Sequence, residues 1–293
     1  MKYMLPYIIN LPPFMFRGID IHKLNMIQKF IFILKGKLLG FIIKNLNKKF
    51  FCKLINLFYR ENSKIYFEEN YYKKNLENIG TISYPNKRIL RMVNNFHLQL
   101  DKLHSSYCLD FINFEDNDVV IDCGANVGEL NMSFKFKKKN VNYIAFEPDL
   151  ETFNCLKLNN PEPNNIFYNS ALSNKTGEES FYIDNLGGNS SLVDFGGEES
   201  VLISTVELDK IELPEKIKLL KIDAEGFEPE VLSGSLNTLS RINYISVDYG
   251  HERGEKENST IIEVNKILYS ENFELVEFSE YRLIGLYENK EYK

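Results

Sequence analysis

The stretch Val119-Val120-Ile121-Asp122-Cys123-Gly124-Ala125-Asn126-Val127-Gly128 decides how this chain is read. Val119 to Ile121 is a short β-branched run of the kind found in a buried strand. Beyond Gly128, residues Leu130, Phe134 and Phe136 recur among polar residues at roughly helical spacing, from Glu129 to Lys137. A strand that turns through glycines into a helix is a nucleotide-cofactor site. The glycines let the backbone approach a ligand, and the helix start offers unpaired N–H groups. Asp122 separates this turn from a phosphate cradle, because a carboxylate there repels a pyrophosphate. It suits a cofactor with a cationic, amine-bearing end, such as S-adenosylmethionine.

Working outward, strands and helices alternate, which predicts an α/β fold with a doubly wound parallel sheet covered on both faces. The expected strands are 142–146, 165–168, 219–222 and 244–247. Segments 180–183 and 201–206 are also extended, around a loop over 186–197 that is rich in glycine and suited to closing over an acceptor. A final antiparallel pair is expected at 273–278 and 282–286. Asp149 is the expected N-cap of a helix over 150–158. Ser259 caps another that runs to about Tyr269, with Ile262, Ile267 and Leu268 facing inward. Ahead of the sheet, 86–112 reads as helical, and 61–80 reads as a mobile connection.

Composition bounds the rest. The 293 residues are 44% hydrophobic, enough for one well-buried α/β domain and an appendage. The net charge of −6 conceals an asymmetry. Residues 1–60 hold eleven Lys or Arg against one acid, Asp20, a net +10; the remaining residues hold 24 bases and 40 acids, a net −16. The acidic body argues against extended nucleic-acid binding, which depends on neutralising phosphates. Its basic front suits an anionic surface such as membrane lipid, met through residues 24–60. Ile27, Phe30, Ile31, Leu34, Leu38, Phe41 and Ile42 share one helical face. That face reads either as an amphipathic helix on a membrane surface or as one packed on the protein, and Phe32, Ile33, Leu39 and Ile43 off the face favour packing. The run is too short and too charged to span a bilayer. No cleavage signal follows it, and Cys52, Cys108, Cys123 and Cys155 form no C-x-x-C pair, so a cytoplasmic protein with free thiols is expected, at most touching the inner face of a membrane. The organisation expected is a basic, mostly helical region over 1–80, a helical lead-in over 81–115 and a catalytic domain over 116–293.

Glu147 stands nineteen residues after Gly128 at the end of a strand, where an acid accepts hydrogen bonds from both ribose hydroxyls. An NAD-dependent oxidoreductase and a methyltransferase would both carry it. After the next strand, Ser170 can bond the adenine edge and Ala171 leaves room for the ring. Asp223 and Glu225, in Leu219-Leu220-Lys221-Ile222-Asp223-Ala224-Glu225-Gly226, place two carboxylates at the carboxyl end of the sheet, where ligands bind. They suit polarising an acceptor hydroxyl, holding a lysine or binding a divalent cation.

In order and spacing, five segments resemble the FkbM family of S-adenosylmethionine-dependent methyltransferases. They are Val119 to Gly128, Ala145-Phe146-Glu147-Pro148, Asn169-Ser170-Ala171-Leu172, Ser190-Ser191-Leu192, and Leu219 to Gly226 with Glu230-Val231-Leu232-Ser233-Gly234. The resemblance covers about residues 116–288 and omits the basic front. It implies a class I methyltransferase fold, a Rossmann-like sheet with its final strand antiparallel. It implies that Asp122, Gly124, Ala125, Asn126 and Gly128 line the methionine end of the cofactor, with Glu147 on the ribose and Ser170 and Ala171 at the adenine. It also implies O-methylation of small molecules or of sugars in surface glycans. Many members end the fifth strand with a glutamate; this chain has Asp248, in Asp248-Tyr249-Gly250-His251.

A hydroxyl acceptor must lose its proton as the new bond forms, and His251, Asp248 and Asp223 are the candidate bases. A divalent cation bridging Asp223 and Asp248 would instead acidify a sugar diol. Arg253 is placed to orient an anionic acceptor or to pair with Glu252. Amino methylation of a nucleobase is not expected, because Ala224 and Glu225 stand where that chemistry needs an amide or acid followed by two prolines and an aromatic.

Overall fold

The computed structural model describes residues 11–182, 200–253, 258–279 and 282–292. The chain divides into two compact units, Met1–Gln99 and Leu100–Lys293.

In the first unit, α1 (Met26–Asn45) starts at a capping box in which the Asn25 side chain accepts from Gln28 N and the Gln28 side chain accepts from Asn25 N. Next come α2 (Lys48–Phe58) and the strands β1 (Ile65–Glu68), β2 (Tyr71–Leu76) and β3 (Gly80–Tyr84), an antiparallel sheet in that order. The stretch 61–80, expected as a mobile connection, instead holds β1 and β2. Glu69 and Asn70, at φ 51° and 67°, form the two-residue connection between β1 and β2, a conformation suited to the twist of a hairpin. Its lysines disguise the strand: Lys74 is buried, with Glu61 and the Met92 carbonyl as partners. The Asn56 side chain donates to the Ile65 carbonyl (2.7 Å) and accepts from its N–H (3.0 Å), tying α2 to β1.

The helix expected over 86–112 is broken. A 3-10 turn ends at Met92, Asn94 and Asn95 take φ 61° and 68°, and α3 runs only over Phe96–Ser106. Asparagine tolerates the left-handed conformation that stops the first segment.

The second unit is built on β4 (Val119–Cys123), α4 (Glu129–Phe136), β5 (Asn142–Phe146), α5 (Leu150–Asn159) and β6 (Ile166–Tyr168). A small side sheet follows, from β7 (Ala171–Leu172), β8 (Gly177–Tyr182) and β9 (Ser200–Val206). The chain then returns through β10 (Ile217–Ile222), α6 (Glu228–Ser233), α7 (Leu236–Leu239), β11 (Ile242–Asp248), β12 (His251–Arg253), β13 (Asn258–Ser259), α8 (Ile261–Ser270), β14 (Phe273–Phe278) and β15 (Ile284–Asn289). The main sheet has seven strands in the order β14-β15-β11-β10-β4-β5-β6, with β14 and β15 antiparallel to their neighbours and the rest parallel. This is the Rossmann-like class I methyltransferase sheet, with its order reversing beside β4, the switch point where ligands bind.

Alternate residues of each strand feed two cores. Ile121, Ile144, Leu220, Ile222, Ile245 and Val247 pack with Val231 of α6 and Leu268 of α8. Val120, Tyr143, Ala145 and Leu219 pack with Phe134 of α4 and Leu156 of α5. Asp149 caps α5 as expected, accepting from Thr152 N at 2.8 Å. On α8 Val264 and Leu268 are buried and Ile267 packs against the core as expected, whereas Ile262 is exposed.

Candidate active site

The site grows from one rung of the sheet. In register across the strands lie Leu286, Ser246, Lys221, Asp122, Ala145 and Phe167. Lys221 and Asp122 are thus neighbours on adjacent parallel strands, and their buried charges meet at 2.9 Å. Lys221 also donates to the carbonyls of Cys123 (3.0 Å) and Gly124 (2.9 Å), and the Tyr143 hydroxyl donates to Asp122. Burial disfavours the Lys221 charge, but Asp122 and the surrounding acidic groups outweigh it and hold its pKa above the ordinary value. The Asp122 carboxylate, expected at the cationic end of the cofactor, is fully buried and meets Lys221 and Tyr143, because the strand register sets a lysine opposite it.

Past this rung, the glycine turn is fixed from within. Gly124 and Ala125 both donate to the Phe146 carbonyl, at 3.1 and 3.0 Å. Asn126 N donates to Glu147 Oε2 at 2.8 Å. Both glycines are required by close approach. A Cβ on Gly124 (φ 73°) would lie 2.0 Å from the Asp223 carbonyl oxygen, and one on Gly128 (φ 82°) would lie 2.0 Å from Asn160 Nδ2. These contacts are with protein, so the turn needs its glycines before any ligand arrives.

Glu147 is buried, with Oε1 accepting from Asp149 N at 3.0 Å. Burial pushes its carboxyl up to about 7, more than the two backbone N–H groups pull it down. Each oxygen accepts one hydrogen bond and keeps a lone pair for a further donor, which is what a ribose diol presents. Ser170 and Ala171 stand at the end of β6, beside the stacked rings of Phe146 and Tyr168 (4.8 Å between centroids). Asn169 Nδ2 ties this corner to the carbonyls of Glu147 and Pro148, both at 2.9 Å.

Beyond β10 and β11 lies a second cluster. Asp223 Oδ2 accepts from the Tyr107 hydroxyl and from Arg282 Nη2 (3.3 Å), and Asp248 Oδ2 receives the same Arg282 nitrogen. Arg282 Nη1 also donates to the Tyr107 hydroxyl at 3.2 Å. Burial raises the Asp223 pKa, but Lys221 and Arg282 overcome it and keep the carboxyl below its usual value. Asp223 Oδ1 is buried and has no hydrogen-bond partner among the described residues. A divalent cation between Asp223 and Asp248 was the alternative to a general base; the Arg282 guanidinium contacts both carboxylates there and supplies positive charge.

The loop after β10 is held by Glu228, whose Oε1 accepts from Ala224 N (3.1 Å) and Gly226 N (3.0 Å) and whose Oε2 accepts from Thr260 (2.9 Å). Glu225, at φ 50°, is half-buried in this loop. Arg253 donates to the Gly226 carbonyl (2.7 Å) and forms a two-pronged pair with Glu230 (2.9 and 2.7 Å). Its guanidinium thereby positions the loop. His251 is exposed on β12, paired in register with Ser259. The glycine-rich loop over 186–197 lies outside the described residues.

Sequence reasoning missed Lys221 as the partner of Asp122, and also Tyr107, Tyr143, Glu228 and Arg282. Lys221 alone left a signal: a lysine inside an apolar central strand must be paired. The others lie far along the chain from the groups they meet.

Most of these residues, Tyr107 and Arg282 excepted, lie in a segment that matches a known family. Residues 122–275, more than half of the chain, match the Methyltransferase FkbM domain. The chain belongs to the FkbM methyltransferase family. Membership in this methyltransferase family speaks for S-adenosylmethionine over NAD as the cofactor. Over 140 residues it is 32% identical to the hexuronic acid methyltransferase AglP of Haloferax volcanii, covering 46% of this chain and 56% of that one. Over 177 residues it is 28% identical to the methyltransferase sdnD of Sordaria araneosa, covering 45% of this chain and 66% of that one. The chain thus spans less than two thirds of either relative. Among solved structures, a SAM-dependent methyltransferase from Aquifex aeolicus aligns with 66% of this chain and 97% of its own, at 16% identity and a TM-score of 0.38.

The site fits this cofactor. Glu147 keeps acceptor capacity for the ribose.

Proposed function

We propose that this enzyme transfers the methyl group of S-adenosylmethionine to a hydroxyl of a sugar, in a surface glycan or glycolipid. The observation that carries the reading is Asp223 Oδ1, a buried carboxylate oxygen left without a partner at the carboxyl end of the sheet. It is an acceptor for which no described residue supplies a donor, a role that an acceptor hydroxyl would fill. The likeness to a hexuronic acid methyltransferase supports a sugar as the bearer of that hydroxyl.

As the hydroxyl oxygen forms its bond to the methyl carbon, the bond from that carbon to sulfur breaks, and S-adenosylhomocysteine leaves. The hydroxyl proton passes to Asp223. Lys221 and Arg282 keep Asp223 ionised, and Arg282 holds Asp248 beside it, so both carboxylates are set before the acceptor binds. Aligning donor and acceptor in this way supplies roughly 7–11 kcal/mol of the barrier. Ser170 and Ala171 border the adenine, and Glu147 holds the ribose. In this reading Asp223 takes the base role in preference to exposed His251, and Glu225 lies at the acceptor side.

The test is methyl transfer from labelled S-adenosylmethionine to a hexuronic acid glycoside and to a hexose glycoside. Label should appear as an O-methyl sugar, and Asp223→Asn should lower kcat by about 10²–10⁴-fold while S-adenosylhomocysteine still binds. Tight S-adenosylhomocysteine binding with no transfer to any sugar hydroxyl would refute the sugar reading.

A further inference from the structure

We propose that the first unit docks this enzyme onto an anionic lipid surface through α1 and α2. The exposed side of α1 carries apolar residues along its length: Ile27 is 73% exposed, Phe30 61%, Ile31 57%, Leu34 60%, Leu38 47% and Phe41 61%. At about 100° per residue these six fall within roughly a third of a turn, one continuous stripe about 20 Å long. The opposite side, with Gly36 and Leu39, is buried. The helix is therefore packed on one side and presents this apolar stripe on the other, with the exposed Lys37 and Lys44 along one border. A stripe of this size on a protein surface marks an interaction site.

Charge identifies the occupant. Lys44 is exposed at the border of the stripe. Lys49 and Lys53 are exposed on α2, where Phe50 and Leu57, two turns apart on the same side as Lys53, are 58% and 63% exposed. Residues 1–60 carry a net +10. A second copy of the chain would bring two such surfaces together, and their like charges repel. An anionic bilayer accepts both features: apolar side chains enter the headgroup boundary while lysine ammoniums meet lipid phosphates. No helix among the described residues is long and apolar enough to cross a membrane, so α1 lies in the surface. This inference does not depend on the sugar reading, because lipid binding is measured without methyl transfer.

Sedimentation of the full chain with vesicles tests it. Vesicles of phosphatidylcholine with one-third phosphatidylglycerol should bind the protein, and vesicles of phosphatidylcholine alone should bind it at least tenfold more weakly. The triple variant Phe30→Ser, Leu34→Ser, Phe41→Ser should lose at least tenfold in affinity for the anionic vesicles. Those side chains are exposed, so the melting temperature and S-adenosylhomocysteine affinity of the variant should be unchanged. A second variant, Lys44→Gln with Lys49→Gln and Lys53→Gln, should bind more weakly and lose much of the salt dependence. Equal binding by native protein and both variants, or no vesicle binding by the native chain, would overturn the proposal. So would a native dimer in solution that the serine variant converts to monomer.

Discussion

Replacing Lys221 by methionine should be among the most damaging single changes in the catalytic unit. The side chain is buried in a central strand, 2.9 Å from Asp122 and within hydrogen-bond distance of two carbonyls of the glycine turn. Methionine keeps the length and the apolar stem but strands the Asp122 carboxylate, whose remaining partner is the Tyr143 hydroxyl. Breaking a buried pair from one side costs about 3–5 kcal/mol. In a unit of this size that lowers the melting temperature by about 6–20 °C. The double variant Asp122→Asn, Lys221→Met removes the stranded charge and should recover roughly 2–3 kcal/mol relative to the sum of the single changes. Urea unfolding of the native chain, both single variants and the double variant measures the cycle. A cost below about 1 kcal/mol for Lys221→Met would refute the reasoning. So would strict additivity in the double variant, since either result means that the two charges do not depend on each other.

Two further expectations follow from named atoms. Glu147 has its folded pKa raised from 4.5 to about 7, so the folded state holds an extra proton between those values. Its contribution to stability is present at low pH and lost as pH rises through 7. Ionised Glu147 is the better ribose acceptor, so S-adenosylhomocysteine should bind more tightly at pH 8 than at pH 6 by calorimetry, and Glu147→Gln should flatten both dependences. Gly128→Ala must place a methyl group 2.0 Å from Asn160 Nδ2 at φ 82°, and should lose about 1–3 kcal/mol or more in denaturant unfolding, where an ordinary surface Gly→Ala change would not.

Much of the fold was legible because its signals are local. The run Val119 to Gly128 contains its own strand, turn and helix start, and the acids at 122, 147, 223 and 248 each follow an apolar run. Local signals failed where charge masks a strand. Lys73 and Lys74 made the first unit's hairpin look like a linker, although both lysines are largely buried beside carboxylates. Periodicity likewise carried a helix through Asn94 and Asn95, whose left-handed backbone ends it. At the site, the residue types were readable but their pairings were not.

By itself, the sequence determined which chain segments are strands ending in carboxylates and which turn must approach a neighbour closely. Those properties depend on side-chain period and on glycine within a few residues. Only the tertiary structure decided what each carboxylate meets. Asp122 is paired with Lys221, while Asp223 keeps one oxygen without a partner among the described residues. Arg282 contacts the two carboxylates between which a divalent cation was the alternative. These outcomes rest on the register between strands a hundred residues apart, and on Tyr107 and Arg282 arriving from outside the parallel strands. Electrostatic pairing in a buried site follows distance in space, which strand register and crossover connections set and local sequence does not.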